Sequence, residues 1–407
     1  MISRFRRTLR QLGPGLISGA ANDDPSCIVT YSIAGAILGF ATLWTSLYIL
    51  PLLAVVQLMC ARLGIVSGRG LGGAIRANYA PWLLMLVCGL LSLANIVQIG
   101  ADMGGMGQVT EMVTGVSRWL WTPVYAAIII GLLTVLSYRR IVAVFKWLCV
   151  TLFTYMAAAV RTNRDWQGVL HSTLVPCGSI GRDYLTVIVA IIGATFSPYF
   201  LFWQVQAQVE HNSTDSREEL VRARVDVLAG ATLSKAITYF ITLTTAATLF
   251  VHGVRHIETA RQAAAALEPF AGAAAYWLFS IGVLGTGMLG IPALAASTAY
   301  AIAEAASWRA SLEAEPEHVP NFYYVLLASL IVGLGLLYLG LNVVDLLFWA
   351  SVLNGLLAPV IVALVVSLTS DRRVMGDRGN SKAMRWTGWL TVALTGFAAI
   401  AMLVSYI

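Results

Sequence analysis

The sequence predicts an all-α polytopic membrane protein, and three observations predict it. Hydrophobic residues make up 58% of the 407 residues, charged residues only 11%, and the mean hydropathy is +0.77. Soluble domains carry roughly 25% charged residues. The apolar residues also gather into eleven runs, at 12–38, 41–63, 82–106, 119–137, 141–160, 183–209, 227–251, 270–306, 320–341, 345–369 and 386–406. About 20 apolar residues are needed to cross a bilayer as a helix. Finally, the basic residues are unevenly shared between the two sides. Segments on the side of the N-terminus carry nineteen Lys and Arg, and the opposite side carries six: Arg118, Arg161, Arg164, Arg182, Arg255 and Arg261. Basic loops stay in the cytoplasm, so the N-terminus is predicted to be cytoplasmic and the C-terminus outside. A miscounted run would scramble the asymmetry, so the bias also supports eleven.

The first run contains a conflict. It reads Leu16-Ile17-Ser18-Gly19-Ala20-Ala21-Asn22-Asp23-Asp24-Pro25-Ser26-Cys27-Ile28-Val29. A carboxylate at membrane depth costs several kcal/mol or more unless it is compensated. Pro25 withholds a backbone donor where the charge sits. Broken backbone within a membrane survives only inside protein or beside a wet cavity. Both costs at one spot point to a site for a cation. The run follows Arg4, Arg6, Arg7 and Arg10, but the acidic pair and the lack of a small-residue cleavage site argue against a removable leader.

The remaining runs are justified in order. The third carries Asn95, Gln98 and Asp102. Buried amides usually join helices, whereas Asp102 could line a cation path or relay protons. The sixth reads Ile192-Gly193-Ala194-Thr195-Phe196-Ser197-Pro198-Tyr199-Phe200, a second mid-membrane proline five runs after the first. Matching interruptions in two halves are the sequence mark of an inverted-repeat transporter. They divide the single domain 1–407 into five-helix repeats at 12–160 and 183–369, with an eleventh helix at 386–406. Residues 210–226 read as a short cytoplasmic helix. Lys235, two turns into the seventh run, is expected to snorkel to the cytoplasmic face. The eighth run is long enough to begin with a separate short helix, and Glu304 near its end reads as interfacial. Residues 309–320, with Glu313, Glu315 and Glu317, read as a solvated turn.

Several function classes drop out. Cys27, Cys60, Cys88, Cys149 and Cys177 are scattered with no Cys-x-x-Cys, so neither a disulfide framework nor a structural zinc site is supported. The sequence pI of about 9.1 reflects cytoplasmic loops rather than nucleic-acid binding. The five histidines lie in loops or at run ends. Neither Gly-x-Ser-x-Gly nor His-Glu-x-x-His occurs, so no enzyme is indicated.

Four stretches resemble the Nramp family of divalent-metal transporters. They are Gly13-Pro14-Gly15 followed by Asp24-Pro25; Ala61-Arg62-Leu63-Gly64-Ile65-Val66-Ser67-Gly68; Gly193-Ala194-Thr195 with Pro198; and the small-residue pattern from Gly287 to Glu304. The resemblance covers essentially the whole chain and implies the LeuT-type fold: a 5+5 inverted repeat plus an eleventh helix, with helices one and six broken. Members that move manganese and iron place Asp-Pro-Gly-Asn in helix one and Met-Pro-His in helix six. Here Asp24 is kept, but Ser26, Cys27, Ser197 and Tyr199 replace the Gly, Asn, Met and His. Asp102 matches the family's helix-three Asp, while Gly105 stands in place of the Glu three residues later. These changes resemble the Nramp-related magnesium transporter branch, as does Asn354 in helix ten.

The swaps have a chemistry of their own. A thioether selects softer metals, and Ser197 in its place removes that selection. Mg2+ dehydrates reluctantly and is usually held by one or two carboxylates through retained waters. Asp24 as the main ligand, ringed by Ser26, Ser197, Asn354 and the Ala194 carbonyl, suits a partly hydrated ion, and Mn2+ also accepts oxygen. Cys27 reads either as a ligand favouring softer metals or as a small lining residue, because a thiol beside a carboxylate in low dielectric keeps its proton. Asp23 is either a supporting partner of Asp24 or a cap for the half-helix. Pro25, Pro198, Tyr199 and Gln204 complete the expected lining.

The expectation is a bacterial-type inner-membrane transporter of Mg2+ or Mn2+ working by alternating access. It needs no cofactor beyond the transported ion and implies no protein partner, only the lipid bilayer. Proton coupling is poorly furnished, since Tyr199 cannot exchange protons as a histidine does near neutral pH. The alternatives are a proton-coupled Mn2+ or Fe2+ symporter, or an amino-acid or amine transporter of the same fold.

Overall fold

The computed structural model describes residues 23–135, 138–145, 147–163, 165–178, 180–210, 217–312 and 314–407. The N-terminal arginines, Gly13-Pro14-Gly15, the first part of the first run and Glu313 lie outside the described residues. Among the described residues the chain is helical, with no strand. The main helices are α1 (Pro25–Leu38), α2 (Leu43–Ser67), α3 (Pro81–Thr114), α4 (Arg118–Val135), α5 (Arg182–Thr195), α6 (Pro198–Glu210), α7 (Arg217–Thr245), α8 (Ala274–Ala306), α9 (Pro320–Leu337), α10 (Val343–Ser370) and α11 (Lys382–Ser405).

Nine segments among the described residues are long and apolar enough to cross a membrane, not eleven. Two local causes account for the difference. A 3-10 turn over Gly39–Thr42 links α1 to α2, so Pro25–Ser67 is one 43-residue helical segment. The expected fifth run is divided into Tyr138–Phe145, a 3-10 stretch at Leu148–Phe153, and Thr154–Thr162. Thr151 and Thr154 turn their hydroxyls back onto the Leu148 and Thr151 carbonyls at 2.7 and 2.6 Å. Such local bonding competes with the α ladder.

Other expectations are refined. Arg217 begins α7 itself, so no separate helix stands between 217 and the seventh run, and 211–216 lie outside the described residues. The long eighth run does open with a short helix, Glu268–Ala271, before α8. Glu304 turns inward, and its carboxylate accepts from the Gly73 N–H at 3.0 Å.

Burial separates the centre from the periphery. The apolar window of Arg182–Glu210 is 89% buried and that of α8 83%, against 28% for α11. α8 packs along α3, α5 along α10, and α7 against α1 and α2. In hydrocarbon, close van der Waals packing replaces the hydrophobic effect as the force between helices. Its tightest instance joins α5 to α10. A Cβ on Gly193 would stand 1.8 Å from the Ser351 carbonyl oxygen, and one on Gly355 2.1 Å from that of Val189. Only glycine allows this backbone-on-backbone approach.

Candidate metal site

The second predicted interruption is present, and at the first the described residues show a helix start at Pro25; proline chemistry shapes each. Pro25 opens α1, where its missing N–H costs nothing because first-turn donors have no intrahelical partner. Asp24 is the N-cap, in extended geometry at φ −68° and ψ 173°. Its Oδ1 accepts from the Cys27 N–H at 2.8 Å. At the second break α5 ends at Thr195 and Pro198 opens α6. The N–H that would have reached back four residues from position 198 does not exist. The Ala194 carbonyl is therefore free of its helical bond, and it accepts from Cys27 Sγ at 3.5 Å and Ser197 Oγ at 3.4 Å. Cys27 thus touches both breaks, through its backbone on one side and its thiol on the other.

The buried Asp24 carboxylate gathers further donors. Gln98 Nε2 and Tyr199 OH (2.9 Å) both donate to its Oδ2. Asn354 Nδ2 donates to Gln98 Oε1, so α10 reaches Asp24 through an amide of α3. Asn354 Oδ1 is buried with no partner. Gly290 of α8 lies against Asp24, where a Cβ would stand 3.1 Å from the Asp24 Cβ.

The expected residues do not all converge on one point. Asp24, Cys27, Ala194, Ser197, Tyr199 and Asn354 are bonded into one cluster. Ser26 turns away from it: its N–H and Oγ donate to Asp102 Oδ1 at 3.1 and 2.7 Å. Asp102 therefore holds the first turn of α1, while its Oδ2 is buried and unpartnered. Asp23 does not cap α1; its Oδ1 accepts from Ser234 Oγ at 2.7 Å and from the Cys27 thiol at 3.9 Å, and its Oδ2 is unpartnered. Gln204 is buried on α6 with an unpartnered Oε1 and is not bonded to Asp24.

Two residues were misjudged from the sequence. Gln98, grouped with ordinary interhelical amides, is the one that meets the carboxylate. Its signal was its place one turn before Asp102 on the same helix face. Lys235 does not snorkel: it is 3% exposed and donates to Tyr31 OH at 2.7 Å and Thr195 Oγ1 at 2.8 Å. Among the described residues, no group of three His, Cys, Asp or Glu could hold a metal ion.

A helical membrane bundle with two buried helix breaks facing each other, one acidic and one neutral, defines a class: the transporters with paired broken helices. The family model described as Nramp, natural resistance-associated macrophage protein-like, matches residues 15–405, and the chain belongs to the Nramp family. It is thus an integral membrane transporter and not an enzyme. The chain is 26% identical to a divalent metal cation transporter MntH of Deinococcus radiodurans, over 96% of this chain and 90% of the relative. It is also 26% identical to one of Ralstonia nicotianae, over 97% and 90%. The structure is similar to the manganese transporter of Eremococcus coleocola, with a TM-score of 0.76 at 19% identity, covering 99% of this chain and 88% of that one. It is also similar to MhsT in complex with L-phenylalanine, with a TM-score of 0.58 at 15% identity over 96% and 97%. These likenesses share the fold.

Proposed function

We propose that the protein carries divalent metal cations across the membrane by alternating access, with Asp24 as the charged ligand. The observation that carries this is the meeting of the two breaks. A buried carboxylate on one side and the freed Ala194 carbonyl on the other are bridged by Cys27. The relatives' name as divalent metal cation transporters supports the substrate class. Ser197, Asn354 and Tyr199 supply further oxygens, which suits Mg2+ and Mn2+ above thiophilic ions. An entering ion takes the place of the Gln98 and Tyr199 donors on Asp24. Cys27 acts as a lining residue, since its thiol already serves as a donor to Ala194. An acidic break also argues against a substrate carboxylate, which this fold meets with unwound backbone N–H groups.

We further propose that the N-terminus is cytoplasmic, in a bacterial inner membrane, and that entry is driven by the membrane potential. That potential is worth about 4.6 kcal/mol for a divalent ion at 100 mV. Proton coupling is not required: the position of the family's helix-three Glu is Gly105, and Asp102 serves Ser26. A coupled manganese symporter is the second possibility, favoured by the partnerless Oδ2 of Asp102.

Uptake into proteoliposomes with a metal series and an internal pH reporter tests both. The expected result is Mg2+ and Mn2+ uptake without matching acidification, and no uptake driven by a pH gradient alone. Metal-dependent proton influx abolished by Asp102→Asn would establish the symporter instead. Stabilisation against heat by an amino acid but by no metal would overturn the metal substrate.

A further inference from the structure

At the end of the bundle proposed above to face the cytoplasm, α2 finishes and both α7 and α11 begin. A groove of about 360 Å³ opens between these three helices. Arg62 and Arg224 line it together with Gly379 and Ser381. Its remaining walls are apolar: Leu58, Leu220, Val221 and Met384.

Two arginines in one groove call for an anion, and the described residues do not supply one. Arg62 gives its N–H groups to neutral acceptors only. These are Asn380 Oδ1, Met384 Sδ and the Gly379 carbonyl, each at 3.3 Å, and the Arg378 carbonyl. Arg224 has no hydrogen bond or ion pair among the described residues. The acids of α7 are turned elsewhere. Glu218 pairs with Arg222 at 3.9 Å, and Glu219 and Asp226 stand about 140° or more around the helix from Arg224. On the α11 side, residues 372–385 carry Arg372, Arg373, Arg378, Lys382 and Arg385 against a single acid, Asp377.

The setting identifies the anion. Trp386 and Trp389 are exposed at the start of α11, as aromatic residues are where a helix enters a membrane. On α2, Leu58 lies one turn deeper than Arg62, and on α7 the exposed Leu228 lies one turn deeper than Arg224. Positive charge at the membrane boundary with apolar surface just beneath it matches a phospholipid. Guanidinium groups bind phosphate oxygens in a two-pronged way, and acyl chains suit Leu58 and Leu228. A soluble phosphate would leave the apolar wall bare.

We propose that this groove binds one anionic phospholipid, its headgroup phosphate held between Arg224 and Arg62 and one acyl chain lying on Leu58 and Leu228. Basic pockets between membrane helices on the cytoplasmic side hold such headgroups. Bound there, the lipid fastens the start of α7 to α2 and α11. The site is separate from the helix breaks and independent of which ion is carried.

Native mass spectrometry of the full chain, titrated in detergent with lipids of matched acyl chains, tests the site. Wild type is expected to bind one phosphatidylglycerol at least about ten-fold more tightly than phosphatidylcholine. Arg224→Gln is expected to lose that preference. Because Arg224 is exposed and bonded to nothing in the fold, the lipid-free unfolding temperature should stay at the wild-type value. Arg222→Gln removes the same charge from a face of α7 about 160° away, and its affinity is expected to stay within about two-fold of wild type. Val221→Asp puts a carboxylate into the groove at another exposed position and is expected to abolish the preference without touching either arginine. Millimolar inorganic phosphate is expected not to displace the lipid. Equal affinity for the two lipids in wild type would overturn the proposal, as would an undiminished preference in Arg224→Gln or Val221→Asp. Equal losses in Arg222→Gln and Arg224→Gln would show general attraction instead of a site, and displacement by phosphate would show a site for a free anion; either result overturns the lipid.

Discussion

The two helix breaks use the same residue to opposite electrical effect. At the start of α1, Pro25 follows two carboxylates, and they gather donors from four residues: Cys27 N–H, Gln98, Tyr199 and Ser234. At the start of α6, Pro198 follows Phe196 and Ser197, and the group exposed is a backbone carbonyl. One break concentrates charge, and the other supplies a neutral dipole. A divalent ion needs both: carboxylates for Coulomb attraction, and neutral oxygens so that further negative charge does not hold it too tightly to leave.

The comparison can be broken most severely at Asp24. Asp24→Ala removes the charge and frees the Gln98 and Tyr199 donors. Metal uptake is expected to fall by about two orders of magnitude or more, in line with the ~3–5 kcal/mol cost of breaking a buried charge pair. The protein should still elute as a folded species; uptake within a few-fold of wild type would remove Asp24 from the site. On the neutral side, Gly193→Ala forces a methyl into the Ser351 carbonyl. It is expected to cost about 1–3 kcal/mol or more of stability, visible as a lower unfolding temperature in detergent. An unchanged temperature would mean that α5 and α10 are not held at this distance.

Selectivity sharpens the contrast further. Ser197→Met adds a soft donor at the neutral break, and the Mn2+ to Mg2+ uptake ratio is expected to rise about ten-fold. A ratio that does not move would show that position 197 does not face the ion. Cys27→Ser is expected to change metal affinity by less than about three-fold, because a hydroxyl can also donate to the Ala194 carbonyl. A large loss of Cd2+ or Zn2+ binding in that variant would make the thiol a ligand.

Much of this was legible in the sequence because membranes leave few options. Charge and proline inside an apolar run contradict the rule that backbone groups be satisfied, so Asp24-Pro25 and Ser197-Pro198 announced themselves. What was not legible depended on rotation about helix axes. Gln98, Gln204 and Asn95 are equivalent as letters, yet only Gln98 of the three is bonded to Asp24. Lys235 was given the usual fate of a lysine near a helix end. Its burial follows from hydroxyls on Tyr31 and Thr195, residues 204 and 40 positions away, which no local pattern connects. The fifth run was counted as a span by its apolar residues, and hydropathy does not weigh the threonine hydroxyls that bond back onto its own backbone.

The glycine contact between α5 and α10 has a mechanical consequence. Gly193 precedes Ala194, and Gly355 follows Asn354, so the two closest backbone approaches lie beside two of the proposed neutral donors. Side chains can swing between rotamers, but backbone pressed on backbone has nothing to swing. The two donors therefore sit on opposite jaws of a calliper with its screw tightened. In the transport cycle proposed above, that gauge is expected to keep its setting, so that the width against which an ion is measured does not change.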